Sequence, residues 1–206
     1  MLERTEPEAV GLSTQRLKRL TQWLDEQVSG GRLAGASALV ARHGKIAYCN
    51  ATGYADAEAK KPFAKNTIAR IFSMTKPVTT VAAMMLYEEG LFQLDDPVSK
   101  YLPEFADTPV WNGPGCDLDD TSEQASPILV RQLMNHTAGL TYGFMQQNVV
   151  DKAYRDRSVE FISRSGTLEQ AVQRLASIPL VCQPGSQWNY SVATDVLGRL
   201  VEVWSN

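Results

Sequence analysis

Histidine is scarce in this chain: only His43 and His136 occur in 206 residues. No Gly-x-Ser-x-Gly pentapeptide is present either, so the sequence does not offer the Ser-His-Asp elbow of α/β-hydrolases. Cysteine is sparse, odd in number and widely spaced, at Cys49, Cys116 and Cys182. That pattern fits reduced thiols in a cytoplasm better than a disulfide framework or a zinc site. No apolar run approaches the ~18 residues a membrane span needs. Lysine and arginine form no block, and the net charge is −3, so no nucleic-acid surface is expected. The first eight residues, Met1 to Glu8, are acidic and lack an apolar core, so they do not read as a signal peptide. No internal repeat or low-complexity linker appears. The expectation is a cytoplasmic protein with one or two ordinary hydrophobic cores.

What is present is a helix, a hairpin and then a long, mostly helical section. Leu17, Leu20, Leu24 and Val28 share one face of a predicted helix over 12–28, with Ser13 or Thr14 as its cap. Residues 35–42 and 45–49 read as two strands joined by a turn at His43-Gly44, which leaves His43 facing solvent. Short helices are expected over 99–102, 127–135, 168–178 and 195–204, and turns at 136–140 and at Pro184-Gly185. The stretches 106–126 and 142–165 read as long surface loops. A two-stranded hairpin is marginal alone, and no further strands are evident, so the chain reads as the front part of something larger.

One tetrapeptide carries chemistry: Ser73-Met74-Thr75-Lys76. Chance alone yields about half a Ser-x-x-Lys match in a chain of this composition, so context decides its meaning. Val78, Val81, Ala82, Met85 and Leu86 follow at helical spacing and predict an amphipathic helix that closes at Gly90. Ser73 then lies at a helix start, where free N–H groups and the dipole favour a developing oxyanion. Residues i and i+3 share a helix face, so the Lys76 amine stands beside the Ser73 hydroxyl and can assist its deprotonation.

Four ordered segments extend this pattern. They are Ile71-Phe72-Ser73-Met74-Thr75-Lys76-Pro77, the run from Leu94 to Pro103, the run from Leu133 to Leu140, and Pro184-Gly185-Ser186-Gln187-Trp188-Asn189-Tyr190-Ser191. In order and spacing the chain resembles the serine β-lactamase and penicillin-binding-protein superfamily. Within it the resemblance is to the class C-like branch that includes family VIII carboxylesterases. It implies an α/β plus all-α fold, an antiparallel sheet flanked by helices with an inserted helical domain. On that pattern residues 1–70 begin the α/β domain and 71–185 form a mainly helical domain carrying the nucleophile helix. Residues 186–206 carry the tyrosine motif and a helix leading into further α/β structure.

The resemblance assigns Ser73 as the acylated nucleophile, Lys76 as the group that removes or relays its proton, and Tyr190 as general base and acid. The Ser73 backbone N–H would be one oxyanion-hole donor. A lysine ammonium lowers a neighbouring phenol, while desolvation lowers the lysine itself, so either can serve as base, and the pair titrates together. His136 belongs to a turn that is structural in the family. No metal or organic cofactor is implied.

Two departures shape the expectation. Tyr190-Ser191-Val192 stands where β-lactamases of this branch have Tyr-x-Asn, and Val192 cannot hydrogen-bond a substrate amide. Short-chain ester hydrolysis is therefore preferred. A β-lactamase or D-Ala-D-Ala peptidase-like amidase is the enzymatic alternative, and a non-catalytic penicillin-binding-like scaffold the other. The second departure is length: the family's third motif, the strand bearing it and a second oxyanion donor do not occur by Asn206. The expectation is a fragment, a truncated product, or a piece completed by a second polypeptide, with the isolated chain impaired.

Overall fold

The computed structural model describes residues 2–160 and 166–205. The chain divides into two compact units, Met1–Arg70 and Ile71–Asn206. The first contains β1 (Glu3–Arg4), α1 (Thr14–Ser29), β2 (Gly35–Arg42), β3 (Lys45–Asp56) and β4 (Lys61–Pro62). The second contains α2 (Thr75–Glu88), β5 (Val110–Trp111), β6 (Thr121–Ser122), α3 (Val130–Met134), α4 (Val149–Asp156), α5 (Leu168–Ala176) and α6 (Ala193–Trp204), with 3-10 turns between them.

In the first unit β2 and β3 pair antiparallel from Gly35↔Gly53 to Arg42↔Lys45. The connecting His43-Gly44 turn places both residues at positive φ, 50° and 72°, as a two-residue hairpin of the primed type requires. β3 runs seven residues beyond the expected Cys49, and two further short strands flank it: β1 parallel at Lys45–Ile46 and β4 antiparallel at Tyr54–Asp56. Two-residue strands carry no periodicity, so the sequence could not announce them. α1 is capped by Ser13, whose side chain accepts from Arg16 N at 3.3 Å, a contact worth about 1 kcal/mol. Leu24 is its most buried residue, and Thr21 joins Tyr48 of β3 through their hydroxyls at 2.9 Å.

The second unit holds the larger core. Val130, Leu133, Val150, Leu180, Val196, Leu197 and Leu200 are fully buried, and Phe92 stacks on Trp204 with ring centroids 3.9 Å apart. At its edge Asp96 accepts from Tyr101 Oη at 2.6 Å, Gln93 N at 2.8 Å and Lys100 Nζ at 3.0 Å. These bonds, the Tyr101 phenol first, hold its carboxyl down at about 2.

Three expectations are corrected here. The 106–126 stretch is not simply a surface loop. Val110 and Trp111 are buried, pair with Thr121–Ser122, and are bonded to the 180 segment through Trp111 N→Leu180 O at 2.9 Å. The expected 142–165 loop contains α4, capped by Asn148 accepting from Asp151 N at 2.9 Å; its residues 161–165 lie outside the described residues. In α2 the expected inward stripe holds only in part: Leu86 packs on the core and Ala82 is partly buried, but Val78, Val81 and Met85 are 60–63% exposed, and the fully buried Ala83 and the packed Tyr87 lie outside that stripe. The helix is apolar nearly all round, so its period cannot choose the core face. None of the three cysteines is disulfide-bonded. Among the described residues no helix is long and apolar enough to cross a membrane.

Candidate active site

Ser73 sits in the middle of a 3-10 turn, Phe72–Met74, that leads directly into α2. Phe72, just before it, has φ +47°, a left-handed conformation uncommon for a bulky residue. Such backbone strain concentrates where a side chain must be aimed. Ser73 is exposed, and Lys76, one turn on in α2, is half-buried.

Tyr190 reaches Ser73 from a segment more than a hundred residues away. That segment is zipped to the 136–141 turn by backbone bonds: Asn189 N→His136 O at 2.8 Å, Gly185 N→Thr137 O at 2.7 Å, Val181 N→Gly139 O at 2.8 Å and Val192 N→Thr141 O at 3.2 Å. Asn189 Nδ2 adds a bond to Leu140 O at 2.7 Å. Gly139 permits the approach: its φ is +80°, and a Cβ there would stand 2.4 Å from Cys182 O.

The resulting geometry unites all three predicted site residues. Tyr190 Oη donates to Ser73 Oγ at 2.6 Å. Lys76 Nζ lies 4.8 Å from the Tyr190 ring centroid. A residue the sequence reading missed completes the set: Lys76 Nζ donates to Tyr142 Oη at 3.0 Å and lies 5.4 Å from that ring. The only sequence signal for Tyr142 was an aromatic just past the 136–140 turn. Tyr142 is 2% exposed, whereas its stacked neighbour Phe144, 4.7 Å away, is 51% exposed. Trp188, also exposed, stacks beside Tyr190 at 6.3 Å.

Electrostatics separate the two phenols. Burial pushes Tyr190 up, but the Ser73 hydrogen bond and the Lys76 ammonium together outweigh it and leave the phenol below its ordinary value. Burial also dominates at Tyr142, and there it wins, so that phenol is raised. At Lys76 the balance goes against burial. Burial lowers it, yet the hydrogen bonds to Tyr142 and Tyr190 exceed that cost and raise it. The ammonium form is thus favoured, because the Tyr142 oxygen and the nearby Tyr190 phenol compensate for the water it loses.

His136 flanks the site without touching Ser73. Its ring lies 5.0 Å from that of Tyr190 and its Nδ1 is 3.3 Å from Ser191 Oγ. Burial first, then the Lys76 charge, lowers it. Asp195, in the first turn of α6, is raised by burial, partly countered by Lys76. Val192 is buried in the core and presents no polar side chain. Among the described residues no group of three or more His, Cys, Asp or Glu side chains could hold a metal ion.

A hydroxyl bonded to a lowered phenol beside an amine is an arrangement that can activate a serine without histidine. The family described as Beta-lactamase matches residues 20–206, and the chain belongs to that family. It is 38% identical to Esterase EstB of Burkholderia gladioli over 200 residues, 96% of this chain and 48% of that protein. It is 30% identical to a lovastatin esterase of Penicillium rubens, over 85% of this chain and 44% of the other. Among solved structures it resembles EstCE1, described as a hydrolase with promiscuous acyltransferase activity. The TM-score there is 0.78 at 38% identity, covering 91% of this chain and 46% of that one. The fold is therefore β-lactamase-like, on the esterase branch, and the chain spans about half the length of the curated relatives it matches.

Proposed function

We propose that this chain carries the nucleophile half of a serine esterase that cleaves short-chain carboxylic esters through an acyl-Ser73 intermediate. The observation that carries this reading is the 2.6 Å contact between Tyr190 and Ser73 beside the Lys76 ammonium. Tyr190, as phenolate, accepts the Ser73 proton while Oγ attacks the ester carbonyl. The Ser73 backbone N–H donates to the oxyanion as it forms. The tetrahedral adduct collapses, the alkoxide takes the proton back from Tyr190, and the alcohol departs. Water then repeats the sequence on the acyl-Ser73 bond, yielding the carboxylic acid and free Ser73. Lys76 keeps its charge throughout and stabilises the phenolate. Esters are preferred to β-lactams because position 192 offers no amide partner.

A second reading follows from relatives named acyltransferases, such as one of Penicillium decumbens, 30% identical over 77% of this chain. An alcohol in place of water would accept the same acyl group, converting hydrolysis to transfer.

Intact mass after exposure to a fluorophosphonate tests the shared first step. One adduct, absent in Ser73→Ala, is expected; a folded wild-type chain that stays unlabelled removes the reading. p-Nitrophenyl butyrate turned over faster than a chromogenic cephalosporin would support the ester preference. The opposite order would install the amidase alternative. Labelling without turnover of either would favour the scaffold alternative. Added alcohol that yields a new ester would place transfer beside hydrolysis.

A further inference from the structure

Gly143 is gripped at both ends of its backbone. Its N–H donates to Glu160 Oε1, and its carbonyl accepts from the Arg155 guanidinium. The same guanidinium nitrogen donates to Asp151 O at 3.2 Å. Asp151, fully buried, accepts from Thr141 Oγ1 at 2.7 Å and from Gln147 N at 2.8 Å. The segment Thr141–Gln147 is thereby pinned at its start, middle and end by α4 and by Glu160 beyond it. The fit has no slack: a Cβ on Gly143 would stand 2.7 Å from Arg155 Cγ, 2.9 Å from Glu160 Oε1 and 3.1 Å from Asp151 O.

Gly143 is buried, so its N–H and carbonyl need partners from the protein, and Glu160 and Arg155 supply them. What the grip fixes is the neighbour on each side of Gly143. Tyr142 holds Lys76 Nζ at 3.0 Å, and Phe144 stacks on Tyr142. A lysine has a flexible four-carbon stem, and without a fixed oxygen its ammonium spreads over many rotamers.

We propose that Arg155 and Glu160 are positioning residues. By clamping the Gly143 peptide they hold Tyr142 Oη against Lys76 Nζ and so keep the ammonium beside Tyr190. The proposal rests on the reading of Ser73, Lys76 and Tyr190 given above. Neither residue touches the reacting atoms. Their effect passes through a phenol and an amine to a second phenol.

The test uses the 206-residue chain as wild type and as Glu160→Met, Glu160→Gln, Arg155→Met and Arg155→Lys. Two readouts are taken against pH: the rate of Ser73 labelling by a fluorophosphonate, and the 13C NMR titration of the Tyr142 and Tyr190 phenols. Lys76 is faced by Tyr142, Tyr190, His136 and Asp195, so the phenol signals are assigned with Tyr142→Phe and Tyr190→Phe. The Met variants keep bulk but lose the bonds. They are expected to slow labelling roughly 10- to 100-fold and to move the Tyr190 titration upward, as its ammonium partner is released. Glu160→Gln and Arg155→Lys retain an acceptor and a donor and should recover most of both. Wild-type labelling with an unmoved Tyr190 titration in the Met variants overturns the proposal. An unlabelled wild type would defeat the nucleophile reading, while the phenol titrations would still decide the clamp. If one Met variant does not fold, the other decides.

Discussion

Tyr142 and Tyr190 approach the same lysine from different segments, and their surroundings push them in opposite directions. Tyr142 stands in an arm fastened by buried Asp151 and is itself 2% exposed, so burial keeps its phenol protonated. Tyr190 stands in an arm held mainly by backbone bonds and is half-exposed, so the Ser73 bond and the Lys76 charge prevail over a smaller burial cost. Two chemically identical side chains thus take different duties. The more deeply buried one holds the Lys76 amine, and the one that ionises more readily meets Ser73. Depth below the surface makes the difference, because desolvation penalises the charged form of whichever group is deeper.

The largest expected effect comes from the shallow phenol. Tyr190→Phe keeps the ring and removes the proposed base, and labelling of Ser73 should fall about 10²–10⁴-fold. A loss below threefold would mean that Lys76 alone activates Ser73. Next is the cation. In the wild type the labelling rate should rise with pH along a limb set by a phenol below its free value of about 10, because the lowered group is the active phenolate. Lys76→Met removes the charge that stabilises that phenolate, so the limb should move to higher pH. A limb that stays in place would assign the titration elsewhere.

Tyr142→Phe removes only the oxygen that anchors the ammonium. About a tenfold loss is expected, the worth of one hydrogen bond to a charged group. An effect equal to that of Tyr190→Phe would erase the distinction between the two phenols. The smallest effect concerns the seam between the two segments. Asn189→Ala deletes the bond to the carbonyl of buried Leu140 and should lower stability by about 1–3 kcal/mol in urea denaturation, with a smaller change in labelling than any variant above. An unchanged midpoint would show that the backbone zipper suffices.

Much of the local structure was written locally. Ser13 before an apolar stripe marked α1, His43-Gly44 marked the hairpin, and Thr167 with Gln170 forms the capping box that opens α5. α4 escaped because its inward residues, Val150, Asp151, Ala153 and Tyr154, include a buried carboxylate. A charge on the core face breaks the apolar period that reveals a helix. The core face of α2 is hidden for the opposite reason, since apolar residues surround that helix.

The same division runs through the site. Ser73 and Lys76 were legible because one helical turn places them together, and spacing along the chain is all that requires. Their junction with Tyr190 could be expected only through resemblance to a family. Tyr142 had no motif at all, because its role depends on where the segment Thr141–Gln147 is pinned. By itself the sequence determined the Ser73 turn, the hairpin and the caps. Each of these is set by neighbours within a few residues. The tertiary structure alone decided which tyrosine lies deep, which lies shallow, and that the partners of Lys76 raise it against burial. Those outcomes depend on desolvation and on partners that long-range packing brings within hydrogen-bonding distance.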